Sequence, residues 1–492
     1  MTKGAGMASK TIAGWLLLAS AVACAPATAQ TVLARSERTV TIARQPVRIA
    51  TEIGTVPVAS AAGHDDATAG YISHVRAGGA TERPVLVAFN GGPGASSTYL
   101  QLGALGLDHV AVPQVPGAPL PPAPTRAPND DSLLDTTDLL FVDPPGTGFS
   151  SLPAGADPGS YHSVHGDALA AAQAVRAWLV AHGRTHAPVY ILGESYGTIR
   201  AAAMVDALRE IDPAMHAAGV LLLGQALNMI ETAQRPDNIV SYVVSLPTLA
   251  AIACYHGKLA KPCDPAHAAD AAQAFAGTAY LHALYEGRNI APAEKQRVAA
   301  QLAALSGIPA AYYRAHDLRI SKERFRVELL RAEGKVIGRY DARYTAPRAP
   351  DAGPVVGSDA FSAVSRQYEQ AMPAYLRALG IADPSGYAVL APPKGSWNYG
   401  GDTSPFTDWP FLDPIEKAAA ADPHFRLFVS SGLYDLTTTI GAADYLIAQS
   451  NLPAAQYTVE RFPAGHVSYS DEASRHRLIA DIRTFIAAGT SR

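Results

Sequence analysis

Five short runs of this chain are apolar almost without a break: Val85–Phe89 (VLVAF), Leu139–Val142 (LLFV), Val189–Leu192 (VYIL), Val220–Leu223 (VLLL) and Leu427–Ser430 (LFVS). A strand with one wet face alternates apolar and polar residues. A run that is apolar at nearly every position needs cover on both faces, as in a parallel sheet flanked by helices. Between the runs lie patterns with apolar residues every three or four positions. The clearest is Val164–His182 (VHGDALAAAQAVRAWLVAH), which ends near Gly183. This alternation predicts an α/β fold with a doubly wound, mostly parallel sheet. Ahead of it, TVTI, VRIATEIG and AGYISHVRA between residues 36 and 76 predict short β segments.

Two stretches break the alternation. Ala111–Pro128 is dense in proline and predicts an extended surface loop. Residues 231–400 are mostly helical in pattern and separate the fourth apolar run from the fifth, so a largely helical lid insertion is expected there. The expected organisation is a signal peptide at 1–29, a first core part at 30–230, the lid at 231–400 and a second core part at 401–492.

Composition narrows the function. A 48% hydrophobic and 17% charged chain is globular. Its 39 basic and 43 acidic residues give no electrostatic reason to expect nucleic acid. Three cysteines are too few for a disulfide scaffold and form no spaced metal-ligand cluster. Lys3 and Lys10 precede the apolar run Thr11–Ala23, and Ala27-Thr28-Ala29 follows. That order is a secretory signal with cleavage after Ala29, too short in its apolar part to span a membrane. The protein is therefore expected to be exported to the periplasm or beyond, with no stable membrane insertion. Lipid anchoring at Cys24 is the alternative. Once the signal is removed, Cys254 and Cys263 flank a Gly- and Pro-containing turn and can form a local bridge. Two unpaired buried thiols are the other reading.

The chemistry begins at Gly193-Glu194-Ser195-Tyr196-Gly197, where a buried run passes straight into a helical pattern. This is the G-x-S-x-G context of a nucleophile elbow, in which the turn is too sharp for a β-carbon on either side and the serine hydroxyl is lifted clear of the sheet. A serine hydroxyl needs a base to take its proton. In this context an acid and then a histidine follow in chain order. Asp435 and His466 fill those places, each just past the carboxyl end of a predicted strand, the side on which open α/β sheets bind ligands. An oxyanion needs N–H donors. One is expected from Tyr196 and the other from the glycine-rich loop Phe89–Ser97 (FNGGPGASS). This serine chemistry needs no metal and no organic cofactor, and none is expected.

Asn90-Gly91-Gly92-Pro93-Gly94, Asp138–Ser150 (DLLFVDPPGTGFS), Gly193–Gly197 and the Gly465-His466 pair together resemble the serine carboxypeptidase family, peptidase family S10, over nearly all of the mature chain. Arg319–Thr345 and Leu433–Thr438 resemble segments of its bacterial members. The resemblance implies an α/β-hydrolase fold and peptide substrates. Ser195 would be the nucleophile, His466 the base and then acid, and Asp435 the group orienting the imidazole. Gly92 and Tyr196 would supply the oxyanion N–H groups, while Asn90, the Gly91 backbone and Glu194 would bind the substrate's terminal carboxylate. A glutamate facing a carboxylate requires a shared proton, which implies better hydrolysis at acidic than at alkaline pH. A structural Glu194 bonded beneath the elbow is the other reading.

The chain departs from the eukaryotic members at three places. Ala104 stands where they carry a second Glu, Ala95 where they have Cys, and Val467 where they have Met. The first departure puts strict selection for a free C-terminus in doubt and leaves esterase or acyltransferase activity as the alternative. The lid, together with Tyr196, is expected to shape the specificity pocket. Its tyrosines Tyr312, Tyr313, Tyr340 and Tyr344 fit packing or substrate contact equally, and monomer and dimer are both compatible with the composition.

Overall fold

The computed structural model describes residues 30–60, 63, 67–152, 158–348, 359–400 and 408–490. The expected signal peptide and Cys24 lie outside the described residues. Nine strands form one sheet: β1 (Thr31–Ile42), β2 (Gln45–Val58), β3 (Ala67–Arg76), β4 (Val85–Phe89), β5 (Asp138–Asp143), β6 (Val189–Glu194), β7 (Ala217–Leu223), β8 (Arg426–Gly432) and β9 (Tyr457–Phe462). Their order across the sheet is β1-β2-β3-β5-β4-β6-β7-β8-β9. The first three strands pair antiparallel with one another and with β5, and the six from β5 to β9 are parallel. The segments expected to be short at 36–76 are instead three long strands. Ser36 and Arg38 on the half-buried face of β1 and Leu33 on its exposed face mask the alternation in the sequence.

Because the parallel strands inside the edge strand β9 are buried on both faces, their side chains divide between two cores. Val85, Val87 and Phe89 join the apolar faces of α1 (Val164–Ala181) and α2 (Tyr196–Ile211). Leu86 and Ala88 face the other way. A Ser163 cap starts α1, its hydroxyl accepting from Gly166 N at 3.0 Å, so one of the helix's unpaired N–H groups is satisfied.

The stretch between β7 and β8 is largely helical, as expected, and divides in its packing. Its first part, with α3 (Leu246–Tyr255) and α4 (Pro292–Ser306), has an apolar cluster of its own, which reaches into the core to take in Leu433, Tyr434 and Leu436. Cys254 and Cys263 are joined by a disulfide at its edge, with Cα atoms 5.8 Å apart. Its later helix α5 (Ser362–Ala378) packs instead into the sheet's second core through Val364, Tyr368, Met372 and Tyr375. The helices α6 (Asp413–Ala421) and α7 (Ile440–Ala448) cover the first face, and α8 (Glu472–Thr490) the second. No helix among the described residues is long and apolar enough to cross a membrane.

Candidate active site

Parallel pairing brings the carboxyl ends of β4, β6, β8 and β9 to one edge of the sheet, and the chemistry-bearing turns follow those four ends. At the end of β6, Ser195 has φ +58°, ψ −128°, a backbone state that side chains disfavour. The turn is enforced by close approach. A β-carbon on Gly193 would lie 2.0 Å from Gly197 O, and one on Gly91 2.6 Å from both Glu194 O and Tyr196 N. The Asn-Gly-Gly loop therefore lies directly against the elbow backbone. Tyr196 is the first residue of α2, so its N–H has no acceptor within the helix.

Asp435, fully buried in the turn after β8, uses its two oxygens differently. Oδ1 accepts from the backbone N–H groups of Thr437 (2.6 Å) and Thr438 (3.1 Å). Oδ2 accepts from the Thr438 hydroxyl (2.6 Å) and pairs with His466 Nδ1 (2.7 Å). That pairing leaves Nε2 to face the cleft, buried and with no hydrogen-bond partner among the described residues. Burial works against an imidazolium here, but the charge and hydrogen bond of Asp435, with Glu194 beyond, outweigh it and raise the pKa of His466. Gly224, at φ +56°, makes room for the ring: a β-carbon there would stand 2.9 Å from it.

Ser195, His466, Asn90, Gly91, Gly92 and Glu194 line one cleft of about 440 Å³. Asn90 Nδ2 donates to Glu194 Oε2, which also accepts from the Tyr469 hydroxyl at 3.0 Å. Asn90 is itself fixed, its Oδ1 accepting from Leu100 N (3.0 Å) and its carbonyl from Arg200 Nη1 (2.7 Å). The second oxygen of Glu194, Oε1, is buried without a partner among the described residues. Burial raises the pKa of this carboxyl, although His466, Tyr469 and Asn90 pull the other way.

The insertion contributes to the site in two ways. The Tyr340 carbonyl accepts from His466 N at 2.6 Å, Ala342 N donates to Tyr434 O and Leu436 N to Arg339 O, so one segment braces both the acid turn and the histidine turn. Arg343 adds bonds to Asp341 and to Pro463 O (3.0 Å). The insertion also lines the cleft with Tyr340, Arg366 and Glu369. Tyr313 and Tyr344 are packed in apolar clusters. One expectation needs correction. The Tyr196 side chain does not shape the pocket: it is buried away from the cleft, its hydroxyl 3.1 Å from Asp167 Oδ2. Ala104 lies in the buried turn Gln101–Leu105 and is not a cleft residue, whereas the other two departures, Ala95 and Val467, are. Tyr469, Arg366 and Glu369 carried no sequence signal, because no motif surrounds them. Among the described residues no group of three or more His, Cys, Asp or Glu gathers as a metal site.

A mostly parallel sheet with a serine on a strained strand-helix turn and a carboxylate-held histidine opening on the same cleft defines an α/β-hydrolase. Residues 64–227, which carry the Asn-Gly-Gly loop and the elbow, match the family described as serine carboxypeptidase. That match supports the family that the motifs resemble, and with it the enzyme class, a serine-type carboxypeptidase. Among solved structures the chain is similar to Kex1(delta)p, a prohormone-processing carboxypeptidase from Saccharomyces cerevisiae, at 13% identity and TM-score 0.52 over 88% of this chain and 91% of that one. A proline iminopeptidase from Mycobacterium smegmatis (14% identity, TM-score 0.33, covering 92% and 98%) and a putative aryl esterase from Burkholderia cenocepacia (13%, 0.35, covering 89% and 100%) are also similar. At these identities the first likeness speaks to the fold alone. No curated protein matches the chain.

Proposed function

We propose that this enzyme is an exported carboxypeptidase of the family's bacterial branch, releasing C-terminal residues from peptides through an acyl-enzyme and working best at acidic pH. Export rests on the order of residues 1–29, and the branch on Arg319–Thr345 and Leu433–Thr438. Ser195 Oγ bonds to the scissile carbonyl carbon while His466 Nε2 takes its proton. The C–N bond then breaks, and the same proton passes to the departing amine. Water repeats the sequence in reverse and frees Ser195. The N–H groups of Gly92 and Tyr196 take the oxyanion, and Asn90, Gly91 and Glu194 take the terminal carboxylate.

The observation that carries this reading is Glu194. It is a buried carboxyl of raised pKa, in the nucleophile's cleft, with an oxygen left unpartnered. Protonated, it donates a hydrogen bond to a substrate carboxylate; ionised, it repels one.

The sign of the pH dependence follows. A raised Glu194 pKa keeps the proton into less acidic solution, and affinity for a free acid falls as pH rises through that value. His466 sets the other limb, since its neutral, basic form is lost as pH falls. Its raised pKa opposes an acidic optimum, so acid-favoured hydrolysis requires the gain in carboxylate binding at Glu194 to outweigh the loss of base. The expected kcat/KM profile is a bell, with its alkaline limb in KM and its acid limb in kcat. Release of the terminal residue from an N-blocked dipeptide and from its amidated twin, near pH 4.5 and 7.5, checks this with Ser195→Ala as blank. Glu194→Gln is expected to flatten the alkaline limb. Affinity for the free acid that is level between pH 4 and 8 in the unaltered enzyme would remove Glu194 from this role. Equal turnover of acid and amide would overturn the substrate class.

A further inference from the structure

One wall of the cleft is a face of α5. Ser362, Ser365, Arg366 and Glu369 line it at positions i, i+3, i+4 and i+7, while Val364, Tyr368 and Met372 bury the opposite side in the core. The helix is held firmly, so what it presents to the cleft is fixed in place. Two acids and one arginine line the cavity, and they differ in how they are satisfied. Glu194 accepts from Tyr469 and Asn90, and Glu369 from the Tyr99 hydroxyl at 2.9 Å. Arg366 is exposed on its helix and makes no ion pair or side-chain hydrogen bond among the described residues, although Glu369 lies within one turn of it.

A guanidinium presents a planar fork of N–H donors matched to a carboxylate, and it keeps its charge at every pH relevant here. An unpaired fork on the wall of a cleft that holds a nucleophile is complementary to a negatively charged substrate group. We propose that Arg366 is a specificity-determining residue that binds a carboxylate of the peptide. This rests on the carboxypeptidase reading, which brings a terminal carboxylate into the cleft at each encounter. The same chemistry also fits the side chain of a terminal Asp or Glu.

The experiment compares the unaltered enzyme, Arg366→Met and Arg366→Lys on N-blocked dipeptides ending in Glu or Gln, each as free acid and as amide. Arg366 is exposed, so the variants should keep the parent's melting temperature and far-UV spectrum. Arg366→Met is expected to lower kcat/KM about tenfold on free acids, mainly through KM, with Arg366→Lys retaining part of the difference. An equal loss on the Glu and Gln acids assigns the contact to the terminal carboxylate. A loss on the Glu substrates alone, amide included, assigns it to the acidic side chain. In both cases the advantage of the unaltered enzyme should shrink as salt is raised. Arg366→Met matching the parent on all four substrates, while the parent still prefers free acids, overturns the proposal. A parent that does not distinguish acid from amide fails the carboxypeptidase reading instead.

Discussion

Asp435→Asn is expected to lower kcat about 10⁴-fold with little change in KM, because the geometry dictates which way the new amide points. Oδ1 of Asp435 accepts from two backbone N–H groups, so the asparagine oxygen stays there. Its NH₂ then faces His466 Nδ1, where Oδ2 now sits at 2.7 Å. A donor in that place forces Nδ1 to accept and moves the ring proton to Nε2. The nitrogen that should take the serine proton then already carries one. The Thr438 hydroxyl, now a donor to Oδ2, can reverse and accept from the amide, so the fold should tolerate the change. Steady-state kinetics on an N-blocked dipeptide, beside an unchanged melting curve, check it. A loss below about tenfold would show that the carboxylate does not set the tautomer.

How much of this was legible depends on whether a function is carried by a local pattern. Ser195 and Asp435 each follow a strand whose apolar run can be read, His466 follows the mixed strand YTVERF, and parallel pairing brings strand ends together without further instruction. Gly193 is equally local, since its β-carbon would meet Gly197 four residues on, whereas Gly197 faces the distant backbone of Phe89 and Asn90. The brace at 339–343 is different. Nothing around Tyr340 says that its carbonyl will meet His466 N, because that contact depends on how the whole insertion seats on the core. The same holds for α5: its apolar stripe predicts burial, but not that the opposite face will line the cleft. The insertion reads as one helical stretch for a related reason. Helical periodicity reports that a face is buried and is silent on what buries it, so a helix packed on the sheet and one packed within the insertion look alike.

The second large effect concerns stability. Arg200→Met is expected to cost about 3–5 kcal/mol, because it strands a buried acid. Arg200 is 1% exposed; its Nε donates to Asp167 Oδ2 at 2.7 Å and its Nη1 to Asn90 O at 2.7 Å. The guanidinium also lies over the rings of Phe89 and Tyr196, 5.0 and 5.4 Å from their centroids. The pair thus ties α1, α2 and the Asn-Gly-Gly loop together beneath the elbow. Burial already raises the pKa of Asp167, and Arg200 is the principal opposing influence. Without it the acid's folded-state pKa rises further above its unfolded value. The variant should then lose stability as pH rises from the unfolded carboxylate range through the new folded value, and keep more of it below. Urea denaturation near pH 5 and pH 8 tests that sign, with the larger deficit expected at pH 8. Arg200→Met with Asp167→Asn should recover much of the loss, since replacing both members removes the stranded charge. A double variant no more stable than Arg200→Met would show that the cost lies in lost packing over Phe89 and Tyr196. The catalytic consequence is separable from stability. With its carbonyl released, Asn90 keeps only its side-chain bonds to Leu100 N and Glu194, so KM for free acids should rise more than kcat falls.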